Sequence, residues 1–338
     1  MINIGLIGYG YWGPNLARNF SEIDECKLAF LADNSENRLE AAKMRYPSLQ
    51  VFQDYRDMLS KHDLNAVVIA TPVSTHYTMV QESLKAKKHV LVEKPLTSSV
   101  QESEELVNIA DRENKILMVG HTFLYNSGIR KMKECIDEDD FGKVYYLHAT
   151  RTHLGRIRND INVVWDLAPH DISIFDYLLG KQPLWASATG SRLWGNDRED
   201  VAFITLGYSD NIIGNIHVSW VDPNKVREVV VVGSNKRIVF DDLNTQERVK
   251  IFEKGISPSN APRDGFGEFQ LLIRDGAIVS PVVEVSEPLK NECNHFIECI
   301  LEDKKPLTDG YNGLEIVRIM DAIQESLRNN GRAVVVKR

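Results

Sequence analysis

The chain has 338 residues, 43% hydrophobic and 26% charged, with 40 Lys and Arg against 48 Asp and Glu for a formal charge of −8. This composition fits an ordinary globular protein of about two domains, long enough to bury a core without disulfides or a structural metal. The acidic balance argues against a general nucleic-acid binder, which needs a basic face for phosphates, and no run approaches the ~20 apolar residues of a membrane helix.

The N-terminus, Met1 to Gly8, lacks a basic start, a long apolar run and a small-residue cleavage site. It reads as the first strand of the fold and not as a signal peptide. Short apolar runs over 2–7, 27–32, 66–70, 89–92 and 116–119 then alternate with amphipathic stretches over 14–20, 36–45, 54–61, 76–86 and 100–113. That alternation predicts βαβ units and a parallel sheet covered on both faces.

The pattern changes after residue 122, so the division expected is 1–122 and 123–338. A helix is predicted over 127–138, with Ile129, Met132 and Ile136 on one face, then a strand over 143–151. A second helix is predicted over 166–179, ended by Gly180. Strands at 201–208, 212–220, 228–232 and 237–240 follow, joined by turns such as Ser209-Asp210-Asn211 and predicting an antiparallel meander. Helices over 289–301 and 313–329 close the chain, and the segment 255–267, with Pro258 and Pro262, reads as a mobile loop. The four cysteines, Cys26, Cys135, Cys293 and Cys299, show no metal-ligand spacing. No metal is expected, and the reading is a reduced, cytoplasmic protein.

Gly8-Tyr9-Gly10-Tyr11-Trp12-Gly13 follows the first strand and opens a helix, the context in which G-x-G-x-x-G binds a dinucleotide. Gly8 permits the turn, Gly10 lets backbone approach a pyrophosphate, and Gly13 lets helix and strand pack closely. The helix N-terminus then faces the phosphates. Asp33 and Asn34 end the second strand; a carboxylate there binds a ribose and repels a 2′-phosphate, favouring NAD over NADP. Arg38 lies nearby and works against that preference. Tyr11 and Trp12 complete the cofactor loop. Thr71-Pro72 and His76 follow the fourth strand, at the sheet edge where ligands bind; His76 either contacts the cofactor or starts a helix. Glu93-Lys94-Pro95 ends the next strand at the same edge, and Lys94 can donate to a substrate oxygen. In Trp165-Asp166-Leu167-Ala168-Pro169-His170, Asp166 reads as an N-cap with Pro169 in the first turn. Spacing i, i+4 puts Asp166 and His170 on one face, where the helix N-terminus keeps the imidazole neutral as a base.

The set formed by Gly8 to Gly13, Thr71-Pro72 with His76, Glu93-Lys94-Pro95 and Asp166 with His170 resembles the superfamily of glucose–fructose oxidoreductase, inositol dehydrogenase and the rhizopine-catabolism protein, over essentially the whole chain. The resemblance implies a Rossmann domain followed by an α+β domain with a large, mostly antiparallel sheet. It implies NAD or NADP, an oxidoreductase working on a hydroxyl-bearing carbon of a sugar or cyclitol, and a homodimer or homotetramer. The family's catalytic residues fall on Lys94, Asp166 and His170, and a cis Lys94–Pro95 bond is implied. Val73 stands where the family often has Asn.

The substrate is expected between the two domains, with His121, Tyr125, Asn126, Arg151, His153, Arg156, Arg158, Asn162 and Trp165 as candidate lining. Arg151, Arg156 and Arg158 form a local basic cluster whose forks suit phosphate or carboxylate. Trp220 reads as a sugar-stacking or packing residue. The function expected is an NAD-dependent interconversion of a ring hydroxyl and a ketone on a nucleotide-linked pyranose, at the 3-position. Rival readings are an inositol or free-sugar dehydrogenase, an NAD-requiring glycoside hydrolase and a non-catalytic NAD-binding sensor.

Overall fold

In a computed structural model of the chain, residues 1–155, 157, 161–194, 197–258 and 271–338 are described. The first stretch of the chain folds as β1 (Ile2–Ile7), α1 (Gly13–Ser21), β2 (Cys26–Ala32), α2 (Glu36–Arg45), β3 (Gln50–Phe52), α3 (Tyr55–Leu59), β4 (Ala66–Ile69), α4 (His76–Lys85), β5 (His89–Glu93), α5 (Val100–Glu113) and β6 (Leu117–Gly120). The strands pair in the order β3-β2-β1-β4-β5-β6, all parallel. All four residues of β4 are buried, as a strand covered on both faces must be. The order reverses between β1 and β4, which opens a crevice beyond their carboxyl ends. The short edge strand β3, with Gln50 exposed, has no apolar run and so gave no sequence signal.

The second stretch holds α6 (Ser127–Asp137), β7 (Val144–Leu154), α7 (Val163–Leu179), β8 (Trp185–Ser191), β9 (Val201–Gly207), β10 (Ile213–Ser219), β11 (Val221–Gly233), β12 (Arg237–Asp241), β13 (Val249–Phe252), a hairpin of β14 (Gly255–Pro258) with β15 (Leu271–Arg274), and β16 (Ile278–Val279). After it come α8 (Pro288–Glu302), α9 (Gly310–Arg328) and β17 (Val334–Val335). A nine-stranded sheet runs β16-β13-β12-β11-β7-β10-β9-β8-β17. It is antiparallel apart from β7 with β10, which are joined by a crossover containing α7. That helix packs on β10, where a Cβ on Gly214 would lie 2.8 Å from the Phe175 ring. Leu147 and Ala149 are buried along β7, while Tyr146, Phe203 and Ile213 stand exposed on the alternate face of the sheet.

The chain forms two compact units, 1–125 with 286–321, and 126–285 with 322–338. A single boundary near 122 therefore needs correction, because 286–321 returns to the first unit. Phe296 of α8 meets Phe20 of α1 edge to face, Glu287 pairs with Arg18, and Val119 donates to the Thr308 carbonyl at 2.8 Å. An amphipathic helix pattern shows that a face is buried but not against which core. Most of the segment read as a mobile loop lies outside the described residues.

Candidate active site

At the crevice of the first unit, Gly8 has φ +94°, and a Cβ there would sit 2.6 Å from the Ala70 carbonyl oxygen. A Cβ on Gly13 would lie 2.3 Å from the Gly8 carbonyl oxygen, whereas one on Gly10 meets only Arg38 Nη1 at 4.0 Å. Two positions thus need glycine for packing, and the third leaves backbone open to a ligand. The Tyr11 and Trp12 rings are exposed on this loop, edge to face. Asp33 ends β2 and straps the loop down: Oδ2 accepts from the Tyr9 N–H at 2.7 Å and Oδ1 from the Ser35 N–H at 2.9 Å. A carboxylate has lone pairs beyond these two bonds, so ribose recognition stays open to it. Arg38 Nη1 lies 3.5 Å from Asp33 Oδ2, and Asn34 is exposed beside them. An open glycine, a helix start and a carboxylate in this order fit a dinucleotide.

Beyond β4, Thr71 and Pro72 lead into a turn at Val73–Thr75, and His76 opens α4. The cofactor contact considered for His76 needs correction. Its ring is 1% exposed, with Nδ1 2.8 Å from the Pro95 carbonyl oxygen and Nε2 3.0 Å from that of Thr71. Burial pushes its pKa down, so the neutral ring donates to one carbonyl and ties together the loops after β4 and β5. The Lys94–Pro95 bond is cis. Beside half-buried Lys94, burial raises the Glu93 carboxyl to about 7, opposed by the Lys94 ammonium and a hydrogen bond from its backbone. His121 is buried, neither ring nitrogen meets a partner among the described residues, and burial together with Lys94 lowers it to about 3. Lys94 therefore faces an imidazole that stays neutral. Behind them Thr122 Oγ1 donates to Glu292 Oε2 at 2.8 Å, and burial with the charge of Glu93 drives Glu292 well above the carboxylate range.

In the second unit α7 begins one turn earlier than its sequence predicts. The N-cap is Asn162, whose Oδ1 accepts from the Trp165 N–H at 3.0 Å. Asp166 is therefore not the cap but lies within the first turn, and Pro169 is interior to the helix. His170 falls in the second turn, where the terminal dipole has largely faded, so the helix N-terminus does not act on the imidazole as the sequence predicts. From Val163 to Leu178 only Trp165, Asp166, His170 and Tyr177 escape full burial. The helix thus presents Asp166 and His170 on one partly open stripe. Trp220 Nε1 donates to Asp166 Oδ2 at 3.2 Å, and burial, then the charge of Arg227, lowers the pKa of nearby His153 while Asp166 opposes.

Three expected substrate contacts are engaged elsewhere. Arg151 is buried and donates to both oxygens of Asp171, Nε at 3.0 and 3.2 Å and Nη2 at 2.7 Å; a buried guanidinium needs such a partner. Tyr125 is fully buried with its hydroxyl 3.1 Å from Thr308 Oγ1. Asn126 is 3% exposed and caps α6 through the Gly128 N–H. Arg156 and Arg158 lie outside the described residues. Sequence reasoning missed the Trp220–Asp166 bond and the Glu93–Glu292 pair, because both join residues remote in the chain. The acidic residue after His170 was the one local hint that Arg151 had a partner.

No helix among the described residues is long and apolar enough to cross a membrane, and no group of His, Cys, Asp and Glu among them could hold a metal ion. Residues 2–121 match an oxidoreductase family with an NAD-binding Rossmann fold, and residues 129–239 match the GFO/IDH/MocA C-terminal domain. UDP-N-acetylglucosamine 3-dehydrogenase of Acidithiobacillus ferrooxidans is 28% identical over 253 residues, covering 74% of this chain and 77% of that protein. Myo-inositol 2-dehydrogenase of Thermotoga maritima is 26% identical over 265 residues, covering 75% and 79%. A solved structure of the Acidithiobacillus enzyme matches 97% of this chain and 98% of its own, with TM-score 0.83 at 22% identity, and so shares the fold.

Proposed function

The chain belongs to the GFO/IDH/MocA family of NAD-binding oxidoreductases, and from that premise we propose that it interconverts a ring hydroxyl and a ketone on a nucleotide-linked pyranose, at the 3-position. The observation that carries the reading is the open stripe of α7, where Asp166 and His170 alone combine a carboxyl with an imidazole on an otherwise buried helix. Gly8, Gly10, Gly13 and Asp33 would hold NAD. When bound, NAD supplies the hydride acceptor. His170 takes the hydroxyl proton as general base. Asp166 orients the imidazole and favours its protonated form as the proton arrives. Lys94 donates to the oxygen and stabilises its developing negative charge. The neutral His121 beside Lys94 adds no competing positive charge.

The nucleotide-linked substrate is supported by the 28% identical relative, a UDP-sugar enzyme. The engagement of Arg151 with Asp171 favours a second reading, an inositol or free-sugar dehydrogenase, since it removes one cation from the expected anion site. Four free, buried thiols suit the cytoplasm. The exposed Tyr146, Phe203 and Ile213 on one sheet face support a homodimer or homotetramer.

The test is NADH absorbance against a panel of nucleotide sugars, free sugars and inositols, each with NAD and with NADP. A nucleotide sugar should respond with NAD, and His170→Ala should lower turnover by about 10²–10⁴ while NAD affinity holds. Reduction with free sugars or inositols alone selects the second reading. Unchanged turnover in the variant removes His170 from the mechanism.

A further inference from the structure

We propose that Trp220 is a positioning residue for Asp166, held in place by Glu199 and Asp200; the inference rests on the role given to Asp166 above. Trp220 is 1% exposed, and its indole N–H is directed to Asp166 Oδ2 at 3.2 Å. A buried indole N–H needs an acceptor, and a backbone carbonyl could have served. Here the acceptor is a carboxyl on the partly open stripe of α7 that also carries His170. A donor bonded to one oxygen of a carboxyl limits its rotation and fixes the direction in which the other oxygen faces.

The backbone around this indole is pinned from both sides. The Trp220 N–H donates to the Asp200 carbonyl at 2.9 Å, and the Trp220 carbonyl accepts from the Gly155 N–H at 3.1 Å. Asp200 is fully buried, and its Oδ2 accepts from the Leu193 and Trp194 N–H groups at 2.8 and 3.2 Å. Its Oδ1 meets no donor among the described residues, an arrangement costly enough to need a reason. Glu199 holds the start of α7: its carbonyl accepts from the Val163 N–H at 3.0 Å, and its Oε2 from Asn162 Nδ2 at 2.7 Å. Arg192 closes on Glu199 Oε1. Neighbouring residues thus fix both the helix that carries Asp166 and the indole that bonds to it. A displacement of this brace alters the place of the Asp166 carboxyl without touching it directly.

Two readouts test this. The chain has five tryptophans, so ¹⁵N-labelled protein without cofactor gives an assignable set of indole signals, with Trp220 identified by its loss in Trp220→Phe. The Trp220 signal should shift in Asp166→Ala, which removes its acceptor. In turnover of a responding sugar, Trp220→Phe should lower kcat about tenfold in the parent, the size of one lost hydrogen bond, and hardly at all in Asp166→Ala, where no carboxyl is left to position. A merely structural role lowers kcat by the same factor in both backgrounds. If Trp220→Phe does not fold, Trp220 is assigned by elimination with Phe variants at Trp12, Trp165, Trp185 and Trp194, and its response to Asp166→Ala decides alone. A Trp220 signal indifferent to Asp166→Ala, or an equal loss in both backgrounds, overturns the proposal. Since the indole experiment needs no substrate, failure of the whole sugar panel would count against the proposed function and leave the brace separately decided.

Discussion

In the first unit, the groups suited to a dinucleotide are mostly backbone: the turn at Gly8, the bare Cα of Gly10, the N–H groups that open α1. In the second unit they are side chains, and their places depend on partners far along the chain: Trp220 for Asp166, Glu199 for Asn162, Asp171 for Arg151. The difference separates two kinds of vulnerability. A backbone device withstands changes among neighbouring side chains but fails when a Cβ is added. A side-chain device fails when either partner is cut, because the other loses the bond that holds it in place.

The largest contrast should come from the buried ion pair of the second unit. Arg151→Ala leaves Asp171 buried without its guanidinium and should cost about 3–5 kcal/mol in urea unfolding. The pair Arg151→Met with Asp171→Leu should recover most of that loss; an equal loss in the double variant would show that packing, not charge, is what the pair supplies. A smaller effect is expected from the backbone device. Gly8→Ala forces a side chain onto φ +94° beside the Ala70 carbonyl, for about 1–3 kcal/mol. NAD affinity by calorimetry should fall about tenfold or more, with the second unit's unfolding unchanged. Full affinity in Gly8→Ala would mean that the loop tolerates a Cβ and that the two units do not differ in this way.

A dependence on pH sharpens the comparison further. Burial raises the Glu93 carboxyl to about 7 in the folded protein, against about 4.5 for an exposed glutamate. The folded state therefore holds a proton that the unfolded chain releases, and this contribution is lost as pH rises from about 4.5 through about 7. Glu93→Gln cannot titrate, so its melting temperature should gain on the parent's across that window. His121, lowered to about 3, acts in the opposite sense as pH falls below about 6.5, but it is common to both proteins and cancels. Parallel melting curves would show that Glu93 is not held neutral by its surroundings.

The elements that could be read from the sequence are those whose signals are local. The apolar runs of β1, β2, β4, β5 and β6 are buried on both faces, and glycines at fixed offsets follow β1, so the first sheet and its cofactor loop were legible. Gly180, at φ +61°, ended α7 as expected. The start of α7 was misplaced because Asn162 and Asp166 are both good caps, and choosing between them depends on Glu199, far away in sequence. Arg151 joins the basic cluster in sequence for the same reason: an arginine looks alike there whether it awaits an anion or already grips Asp171. Tyr125 and Asn126 occupy positions at the end of the first sheet that look functional, yet Thr308 and the first turn of α6 claim them.

The return of 286–321 to the first unit bears on synthesis. At about 5–20 residues per second, about 10–40 seconds separate the emergence of residue 125 from that of residue 321. Through that interval the nascent nucleotide-binding sheet lacks Phe296 over Phe20 and the Thr308 strap on β6. Its apolar surface must be shielded by chaperones or left open to misassembly. A stop codon late in the message would thus injure the half of the enzyme that was translated first.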